Sequence, residues 1–444
     1  MQDRNDNHFN RRRFLGGSVA GIVAASGLPA WFVSEEAFAA VQRSPRKKFG
    51  PNDQIQFAGI GMGGSRGGYR QGLGDTRAAS RQPGCRVVAV CDVDQVHLAE
   101  SVKEFGPDTK GYTYYRDLLE RPDIDAVVIG SPDHWHATMA IDAMKAGKDV
   151  YCEKPLALTI YEGRQIADAA RKTGAVFQTG SQQRSDGRFR LACELVRNGR
   201  LGKIRRVEAR LPGAPSGGPF PVVLIPGDLN WDLWLGPAPK VEYIKERTHG
   251  SFRYWREYSG GMMTDWGAHH LDITQWALGM DDSGPVAVEA QGKTPAFEPH
   301  SYNVATEFDV TYTYPNGITV VATNKGENGI RFEGETGWLF VSRDRIEASD
   351  KAILDDPLPE NAARLYKSDD HMGNFVGCIR DRKAPICTAE IGHRSATVCH
   401  LGNIALRLTG KRLQWDPKRE TFVGENRGDA NPLRRTTMRQ PWAV

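Results

Sequence analysis

Short, continuous runs of apolar residues alternate with longer mixed segments through the first part of the chain. The apolar runs predict five strands, at Ile55–Ile60, Arg86–Cys91, Ala126–Gly130, Asp149–Cys152 and Ala175–Thr179. The segments between them predict helices at Val96–Phe105, Tyr114–Glu120, His136–Ala146 and Ile160–Thr173. Because strands that are apolar throughout are buried on both faces, this alternation predicts an α/β domain with a doubly wound parallel sheet.

After about Gly180 the pattern changes to runs of strands between fewer helices. Strands are predicted at 203–211, Ala287–Gln291, Ala305–Tyr314, Ile318–Thr323 and Gly337–Phe340. Helices are predicted at Phe189–Asn198, Gly261–Leu278, 371–381 and 390–408, the last two packing back on the core. The turn Pro315-Asn316-Gly317 is typical of a hairpin. Consecutive strands of this kind predict an α+β domain with a mostly antiparallel, open sheet.

The N-terminal segment has the pattern of a targeting sequence. Arg11-Arg12-Arg13-Phe14-Leu15 fits a twin-arginine signal, a mildly apolar run follows, and Ala37-Phe38-Ala39 fits a cleavage site. A basic leader before an apolar helix, or an uncleaved anchor, is the alternative. The twin-arginine pathway exports folded proteins, so we expect a periplasmic or otherwise exported protein.

These patterns divide the 444 residues into four predicted parts. They are a signal peptide over 1–39, a linker over 40–53, a nucleotide-binding domain over 54–180 and an α+β domain over 181–444. With 40% hydrophobic and 25% charged residues, the composition is that of a soluble globular protein. Part of the net charge of +4 lies in the leader, so no nucleic-acid partner is expected. No stable membrane insertion is expected after cleavage of the signal.

A glycine-rich loop follows the first predicted strand, where a dinucleotide pyrophosphate approaches the backbone in doubly wound folds. Gly59, Gly61 and Gly64 match GxGxxG literally, whereas Gly61 and Gly63 place the glycines after the strand. We prefer the second register, which puts Arg66 at the third position. The predicted cofactor contacts of the loop are Gly61, Met62, Gly63 and Gly64.

An acid at the end of the second strand supports the nucleotide site. The Asp92 carboxylate can accept both ribose hydroxyls, which favours NAD over NADP, although Arg66 lies near enough to leave NADP open. The long spacing from Gly61 to Asp92 predicts an insert over Gln71–Gly84. Ser131 and His134, after the third strand, are further predicted cofactor contacts, with a structural role for His134 as the alternative.

Two further motifs carry candidate chemistry. In Glu153-Lys154-Pro155 the proline restricts the residue before it, and a fixed lysine near a nicotinamide can stabilise a developing alkoxide. Asp265, His269 and Asp272 have the i, i+4, i+7 spacing of one helix face. A carboxylate there can set the tautomer of His269, which can accept a hydroxyl proton near neutral pH.

A metal is the alternative interpretation of the histidine segment. His269, His270 and an aspartate could contribute ligands, but the spacing identifies no third ligand, and we predict no metal. The seven cysteines form no CxxC pair and no Cys/His metal spacing, so they are predicted to be buried thiols.

The order of the glycine loop, Glu153-Lys154-Pro155 and the segment from Gly260 to Asp272 resembles the Gfo/Idh/MocA family of nicotinamide-dependent sugar oxidoreductases. The resemblance covers roughly residues 52–420. It implies a Rossmann domain followed by an α+β domain whose sheet often mediates oligomers, so a dimer or tetramer is expected. It also implies that Lys154, Asp265 and His269 act together in catalysis, that Glu153 positions the lysine, and that Glu153 and Lys154 both contact the cofactor.

The substrate is expected to be a small carbohydrate bound between the domains. Aromatic and planar polar side chains suit sugar rings, and those near the motifs are Gln183, Arg184, Trp255, Tyr258 and His270. We predict an exported NAD-dependent oxidoreductase of a sugar or polyol hydroxyl with a tightly bound cofactor. A redox-neutral, NAD-dependent glycoside hydrolase is the first alternative, and a non-catalytic sugar-binding protein with a vestigial cofactor is the second.

Overall fold

The computed structural model describes residues 47–50 and 52–444. The predicted signal peptide over 1–39 lies outside the described residues, as does most of the linker, so both stay predictions. Within those ranges, every helix is too short or too polar to cross a bilayer.

The first part of the chain folds around a six-stranded, fully parallel sheet, which confirms the predicted doubly wound α/β class. Its strands are β1 (Ile55–Ile60), β2 (Cys85–Cys91), β3 (Lys110–Tyr112), β4 (Ala126–Ile129), β5 (Asp149–Cys152) and β6 (Phe177–Thr179). They are ordered β3-β2-β1-β4-β5-β6. The short strand β3 was not predicted, because its Lys-Gly-Tyr sequence has no apolar run.

Five helices cover this sheet. They are α1 (Gln71–Ser80), α2 (Gln95–Phe105), α3 (Tyr115–Leu119), α4 (Asp133–Lys145) and α5 (Ile160–Thr173). Local sequence sets their ends: the Asp94 and Thr159 side chains accept backbone N–H groups at the starts of α2 and α5, and Gly174 ends α5 in the left-handed conformation. The chain order brings the turns after β1, β2, β4 and β5 to one edge of the sheet.

The second part contains a nine-stranded sheet in the order β13-β12-β11-β7-β10-β9-β8-β14-β15. Its strands are β7 (Ile204–Arg210), β8 (Ala287–Lys293), β9 (Glu307–Thr313), β10 (Thr319–Thr323), β11 (Gly329–Gly334), β12 (Trp338–Val341), β13 (Ile346–Ala348), β14 (Leu413–Asp416) and β15 (Thr421–Val423). The pairing is antiparallel except between β7 and β10, which confirms the mostly antiparallel sheet. The predicted hairpin turn joins β9 to β10.

Eight helices accompany the second sheet. They are α6 (Gly187–Arg197), α7 (Trp231–Leu235), α8 (Met262–Asp265), α9 (Gly267–Leu278), α10 (Ala352–Asp355), α11 (His371–Asp381), α12 (Ala389–Arg407) and α13 (Arg427–Ala430). Helix α11 returns to the first sheet, where the Phe375 ring packs 6.3 Å from that of Phe57. The two sheets are therefore connected by packed helices as well as by the chain itself.

The predicted helix Gly261–Leu278 is interrupted at Trp266, and the prediction of one continuous helix is wrong. The Nζ of Lys154 donates to the Asp265 carbonyl oxygen at 3.3 Å, and the His269 N–H bonds the carbonyl of Trp266 instead. A side chain from the first domain thus takes the acceptor that a regular i to i+4 turn would use. The backbone at Trp266 keeps helical angles, with φ of −81° and ψ of −30°.

The loop after β1 differs from the predicted register in one respect. Residues 71–84, predicted to be an insert, contain α1 itself, and the extra length lies in the loop before it, around a single turn at Arg66–Gly68. A Cβ added to Gly72 would lie 2.1 Å from the Gly61 carbonyl oxygen. Gly72, rather than Arg66, therefore allows the close packing of helix on strand that the third glycine of the fingerprint provides.

Substitution of two glycines on α1 tests this packing. Gly72→Ala is expected to destabilise the protein by about 1–3 kcal/mol or more, because the new methyl group overlaps backbone that cannot move easily. Gly74→Ala, on the same helix, meets nothing within 4 Å and is expected to stabilise by about 0.5–1 kcal/mol. Chemical denaturation of both variants measures the difference, and equal effects would contradict the packing role of Gly72.

Candidate active site

The glycine loop after β1 forms the floor of a pocket at the carboxyl edge of the parallel sheet. Gly61 and Gly63 adopt positive φ angles of 72° and 67°, which favour glycine. Side chains at these positions would also collide with the backbone of Ser131 and Tyr69, respectively. The loop is therefore built for close approach of a ligand or a neighbouring chain segment to bare backbone.

Asp92, at the end of this pocket, is fixed by backbone donors. Its Oδ2 accepts the N–H of Gly63 at 3.1 Å, and its Oδ1 accepts the N–H of Asp94 at 2.9 Å. His97 Nδ1 lies 3.8 Å from the same carboxylate. Although burial opposes it, hydrogen bonding and charge from Asp92 raise the pKa of His97. Asp92 lines the pocket as the sequence predicts.

Arg66 is held by two carboxylates. Its Nη1 lies 3.0 Å from Asp94 Oδ2, and its Nη2 lies 2.5 Å from Asp228 Oδ2. Asp228 belongs to the second part of the chain, so this ion pair also ties the glycine loop to the segment before α7. The guanidinium is consequently already engaged beside the end of β2.

Both domains line the cofactor pocket. From the first domain come Gly61, Gly63, Asp92, Ser131, Glu153 and Lys154, all six of which the sequence predicts. From the second come Leu233, Trp234, His249, Phe252 and Arg253. Backbone hydrogen bonds from Gln95 to Asp228 and from Asn230 to Val93 join the two walls.

Three predicted cofactor contacts fall outside the residues that line this pocket. The Met62 side chain is fully buried in the core, and Gly64 donates its N–H to the Tyr69 carbonyl. His134 turns the other way, because its Nε2 bonds the Trp234 carbonyl at 3.1 Å and its ring packs on Trp234 and Tyr258. Burial lowers the pKa of His134 to about 3, so it is a neutral packing residue.

Lys154 lies where the cofactor pocket meets a second, wider cleft. Its Nζ lies 2.6 Å from Asp265 Oδ1, and Arg253 Nε lies 3.2 Å from the same oxygen. Both cavities are lined by Lys154, and the wider cleft, of about 970 Å³, is also lined by Asp265 and His269. Sequence reasoning thus placed the three predicted catalytic residues at one site.

The charges of this cluster stabilise one another. Although burial disfavours charge, Lys154 and Arg253 lower the pKa of Asp265 to about 2. Burial likewise opposes the Lys154 ammonium, but Asp265 and Glu153 raise its pKa above the ordinary value. Lys154 is therefore a cation and Asp265 an anion across the physiological range.

Glu153 lies behind the lysine, near a second carboxyl group. Its Oε2 accepts the Lys154 backbone N–H at 3.2 Å, as expected of a positioning residue. Burial and the Glu153 charge raise the pKa of Asp75 on α1, and burial also raises the pKa of Glu153, although the Lys154 charge opposes this. The two carboxyl groups therefore disfavour a double negative charge behind Lys154.

His269 lines the cleft and has a buried ring nitrogen without a partner. The residue is 5% exposed, and its Nδ1 is buried with no hydrogen-bond partner among the described residues. Burial and the charges of Lys154 and Arg343 hold its pKa well below the usual value, so the imidazole is neutral. The expected pairing with Asp265 is wrong, because Lys154 and Arg253 bind that carboxylate instead.

Asp272 and Arg184 form a buried structural ion pair. Arg184 Nε lies 2.8 Å from Asp272 Oδ2, and both side chains are at most 1% exposed. Asp281 and Ser395 complete the hydrogen bonding. Arg184 is therefore excluded from the cleft, and its prediction as a substrate contact is wrong, because a buried arginine needs this carboxylate.

The other four predicted substrate contacts also lie outside the residues that line the cleft. Trp255 and Tyr258 are at most 1% exposed and belong to an aromatic core around α7. His270 bonds the Asn328 side chain at 2.9 Å, and Gln183 lies behind the cleft between His270 and Arg343. Proximity of aromatic and polar residues to a motif does not identify substrate contacts, because most such residues pack in the protein core.

The structure instead places other side chains in the cleft. They are Tyr69, Tyr254, Trp266, Arg253 and Arg343. Arg253 Nη2 donates to the Tyr69 hydroxyl, and its guanidinium lies 4.2 Å from the Tyr69 ring centroid. The first four are adjacent in sequence to the predicted motifs, whereas nothing near Arg343 in the sequence indicated its position.

Asp94, His97 and His249 form the group with metal-ligand potential among the described residues. Their ligand atoms lie within 4.8 Å of one another. The Arg66 guanidinium already pairs with Asp94, which disfavours a further cation at this carboxylate. We therefore assign no metal to these residues.

Solved structures with the same fold support the architecture. The WlbA dehydrogenase of Bordetella pertussis, solved with NADH and UDP-GlcNAcA, matches with a TM-score of 0.62 at 19% identity over 82% of this chain and 99% of that one. The aldose-aldose oxidoreductase of Caulobacter crescentus, solved with glycerol, matches with a TM-score of 0.60 at 23% identity over 81% and 99%. At these identities the likeness shows the fold alone.

Curated relatives match over shorter segments. A glycosyl hydrolase family 109 protein of Shewanella sp. (strain ANA-3) is 36% identical over 178 residues, covering 37% of this chain and 38% of the relative. The myo-inositol 2-dehydrogenase of Thermotoga maritima is 30% identical over 158 residues, covering 35% and 46%. The chain therefore spans less than half the length of either relative.

Family models match both domains. Residues 55–181 match the NAD-binding Rossmann fold of an oxidoreductase family, and residues 219–444 match the C-terminal alpha/beta domain of the same family. The matched segments contain the glycine loop, Lys154, Asp265 and His269. The chain belongs to the Gfo/Idh/MocA oxidoreductase family.

Proposed function

We propose that this chain is an exported oxidoreductase that acts on a hydroxyl group of a sugar or polyol by hydride transfer to NAD. The observation that carries the proposal is the position of Lys154, which lines both the cofactor pocket and the wider cleft. A substrate hydroxyl beside Lys154 Nζ would lie where the two cavities meet. Hydride transfer requires this juxtaposition of substrate carbon and cofactor ring.

The pocket residues fit NAD. Bare backbone at Gly61 and Gly63 suits a pyrophosphate, and the fixed Asp92 carboxylate suits the two ribose hydroxyls. A 2′-phosphate would meet the Asp92 charge, and Arg66 is already engaged by Asp94 and Asp228. This electrostatic arrangement favours NAD over NADP.

Lys154 and His269 would divide the work at the substrate oxygen. When bound, the nicotinamide accepts a hydride from the carbinol carbon and, in a redox-neutral reaction, returns it. The Lys154 ammonium, oriented by Asp265, donates a hydrogen bond to the substrate oxygen and stabilises its developing negative charge. Neutral His269 lines the cleft, and its imidazole would accept the hydroxyl proton.

Several contacts favour a cofactor that stays bound. Trp234, His249 and Phe252 of the second domain line the cofactor pocket opposite the glycine loop. The ion pair of Arg66 with Asp228 and the backbone bonds beside it connect that wall to the first domain. Release of a dinucleotide would require these contacts to open, which suits an exported enzyme with little free NAD around it.

A redox-neutral glycoside hydrolase is the second candidate, favoured by the sequence similarity to glycosyl hydrolase family 109 proteins. Oxidation of a ring hydroxyl acidifies the neighbouring C–H, loss of that proton expels the aglycone, and return of the hydride after addition of water restores the sugar. The same Lys154 and His269 would serve the oxidation and the reduction, and no cofactor is consumed.

Mass spectrometry of the nucleotide released on denaturation distinguishes these functions. We expect stoichiometric NAD in the purified protein, because residues of both domains line its pocket. Release of the aglycone from aryl glycosides without accumulation of NADH would identify the hydrolase, and net reduction of added NAD would identify the dehydrogenase. A protein that contains no nucleotide and binds none would contradict the proposed function.

The pH dependence of kcat/KM tests the roles of His269 and Lys154. The base is active when His269 is neutral, and its pKa lies below the ordinary 6.5 because of burial and the neighbouring cations. Activity is therefore expected to fall only as pH drops below 6.5. On the alkaline side it should persist to about the ordinary lysine pKa of 10.5, because the pKa of Lys154 is raised despite burial. A titration between about pH 7 and 9 would contradict these assignments.

A further inference from the structure

Arg343 is a cation of the substrate cleft that has no carboxylate partner in the described part of the chain. It lies in the turn between β12 and β13 and lines the cleft with Lys154 and His269. The other two arginines of the cleft, Arg66 and Arg253, are each within 3.2 Å of a carboxylate oxygen. Arg343 therefore brings to the cleft a positive charge that has no ion-pair partner among the described residues, although the charges of Asp265, Asp186 and Asp344 act on it from farther away.

The guanidinium of Arg343 is nevertheless held in a defined orientation. Its Nε donates to Gln183 Oε1 at 3.1 Å, and its Cζ lies 4.5 Å from the centroid of the Trp266 ring. Stacking and one hydrogen bond fix the plane, while the two Nη groups have no partner among the described residues. The two Nη groups at the outer edge of the guanidinium are thus free to donate two parallel hydrogen bonds. A carboxylate has the geometry to accept both.

Arg343 also acts on the proposed base. After burial and Lys154, its charge is a cause of the depressed basicity of His269. An anionic group bound at Arg343 would offset this effect, and His269 would then accept the hydroxyl proton more readily. A negative charge on the substrate would thus improve both binding and the oxidation itself.

We infer that the sugar substrate carries a carboxylate, as in a uronic acid residue, and that Arg343 binds this carboxylate. This inference rests on the proposed function and names its substrate class. The carboxylate pairs with the two Nη groups while the hydroxyl to be oxidised lies at Lys154. Sulfate and phosphate esters offer the same negative charge on a tetrahedral group and are distinguished by experiment.

Matched aryl glycosides test the inference in the NAD-containing full-length protein. The probes are the glucuronide, glucoside, 6-sulfate and 6-phosphate of one aglycone, with the galacto series in parallel. We expect kcat/KM for a uronide to exceed that of its neutral counterpart roughly 10- to 100-fold, the contribution of a charge-assisted hydrogen-bonded pair. Arg343→Met should lower kcat/KM for the uronide roughly 10- to 100-fold and abolish its preference over the neutral glycoside.

Arg345→Met is the matched control. Arg345 lies two residues away in the same turn and pairs with Glu327 and Glu347 at the surface, so its loss removes the same charge without altering the preference. Equal rates for uronide and neutral sugar in the unsubstituted protein, a higher rate for the sulfate or phosphate ester, or an equal loss on both sugars in Arg343→Met would each overturn the inference. Turnover of neutral sugars with bound NAD would leave the proposed function standing.

Discussion

The buried ion pair between Lys154 and Asp265 is the interaction on which the site depends. It joins the carboxyl end of β5 in the first domain to the end of α8 in the second, with 2.6 Å between the charged atoms. Because it also takes the Asp265 carbonyl, the lysine explains why the helix is interrupted at Trp266. Removing Asp265 would leave Lys154 and Arg253 without the carboxylate that they share, and breaking a buried pair in this way typically costs about 3–5 kcal/mol.

The same pair sets the protonation states around the substrate oxygen. Lys154 stays charged because Asp265 and Glu153 face it, and burial beside the Glu153 charge raises the pKa of Asp75. His269 is left neutral at the wall of the cleft. The site therefore presents one donor and one acceptor to a hydroxyl group, which is what alcohol oxidation needs.

Local patterns predicted the parallel sheet, the glycine loop, Asp92 and the three residues Lys154, Asp265 and His269 that line one cleft. These features depend on strand ends and turns, whose conformations are determined by residues close together in the sequence. The orientation of Asp265 and the burial of Arg184 depend on partners far away in the chain, at Lys154 and Asp272. Periodicity placed Asp265 and His269 on one helix face. It could not predict that Lys154, more than 100 residues away, donates to the backbone carbonyl of Asp265.

Long-range packing also decided which aromatic residues line the cleft. Trp255 and Tyr258 are of the aromatic types that often contact sugars, yet they pack in the core that holds α7 against the first domain. Tyr69 and Arg343 reach the cleft from a loop and from a sheet turn. Their roles follow from the assembly of both domains, which composition does not encode.

An isotope-transfer experiment tests most directly whether hydride passes to the nicotinamide from a substrate bound beside Lys154. The full-length protein is incubated with a panel of C-deuterated aryl hexosides and hexuronides, denatured, and its nucleotide analysed by mass spectrometry. We predict that deuterium appears in the released nicotinamide. Lys154→Met should reduce the rate of this transfer on the order of 1,000-fold, whereas Lys411→Met, at a surface ion pair, should leave the rate unchanged. Aglycone release with no deuterium ever appearing in the nucleotide, or transfer at an undiminished rate in Lys154→Met, would contradict the account.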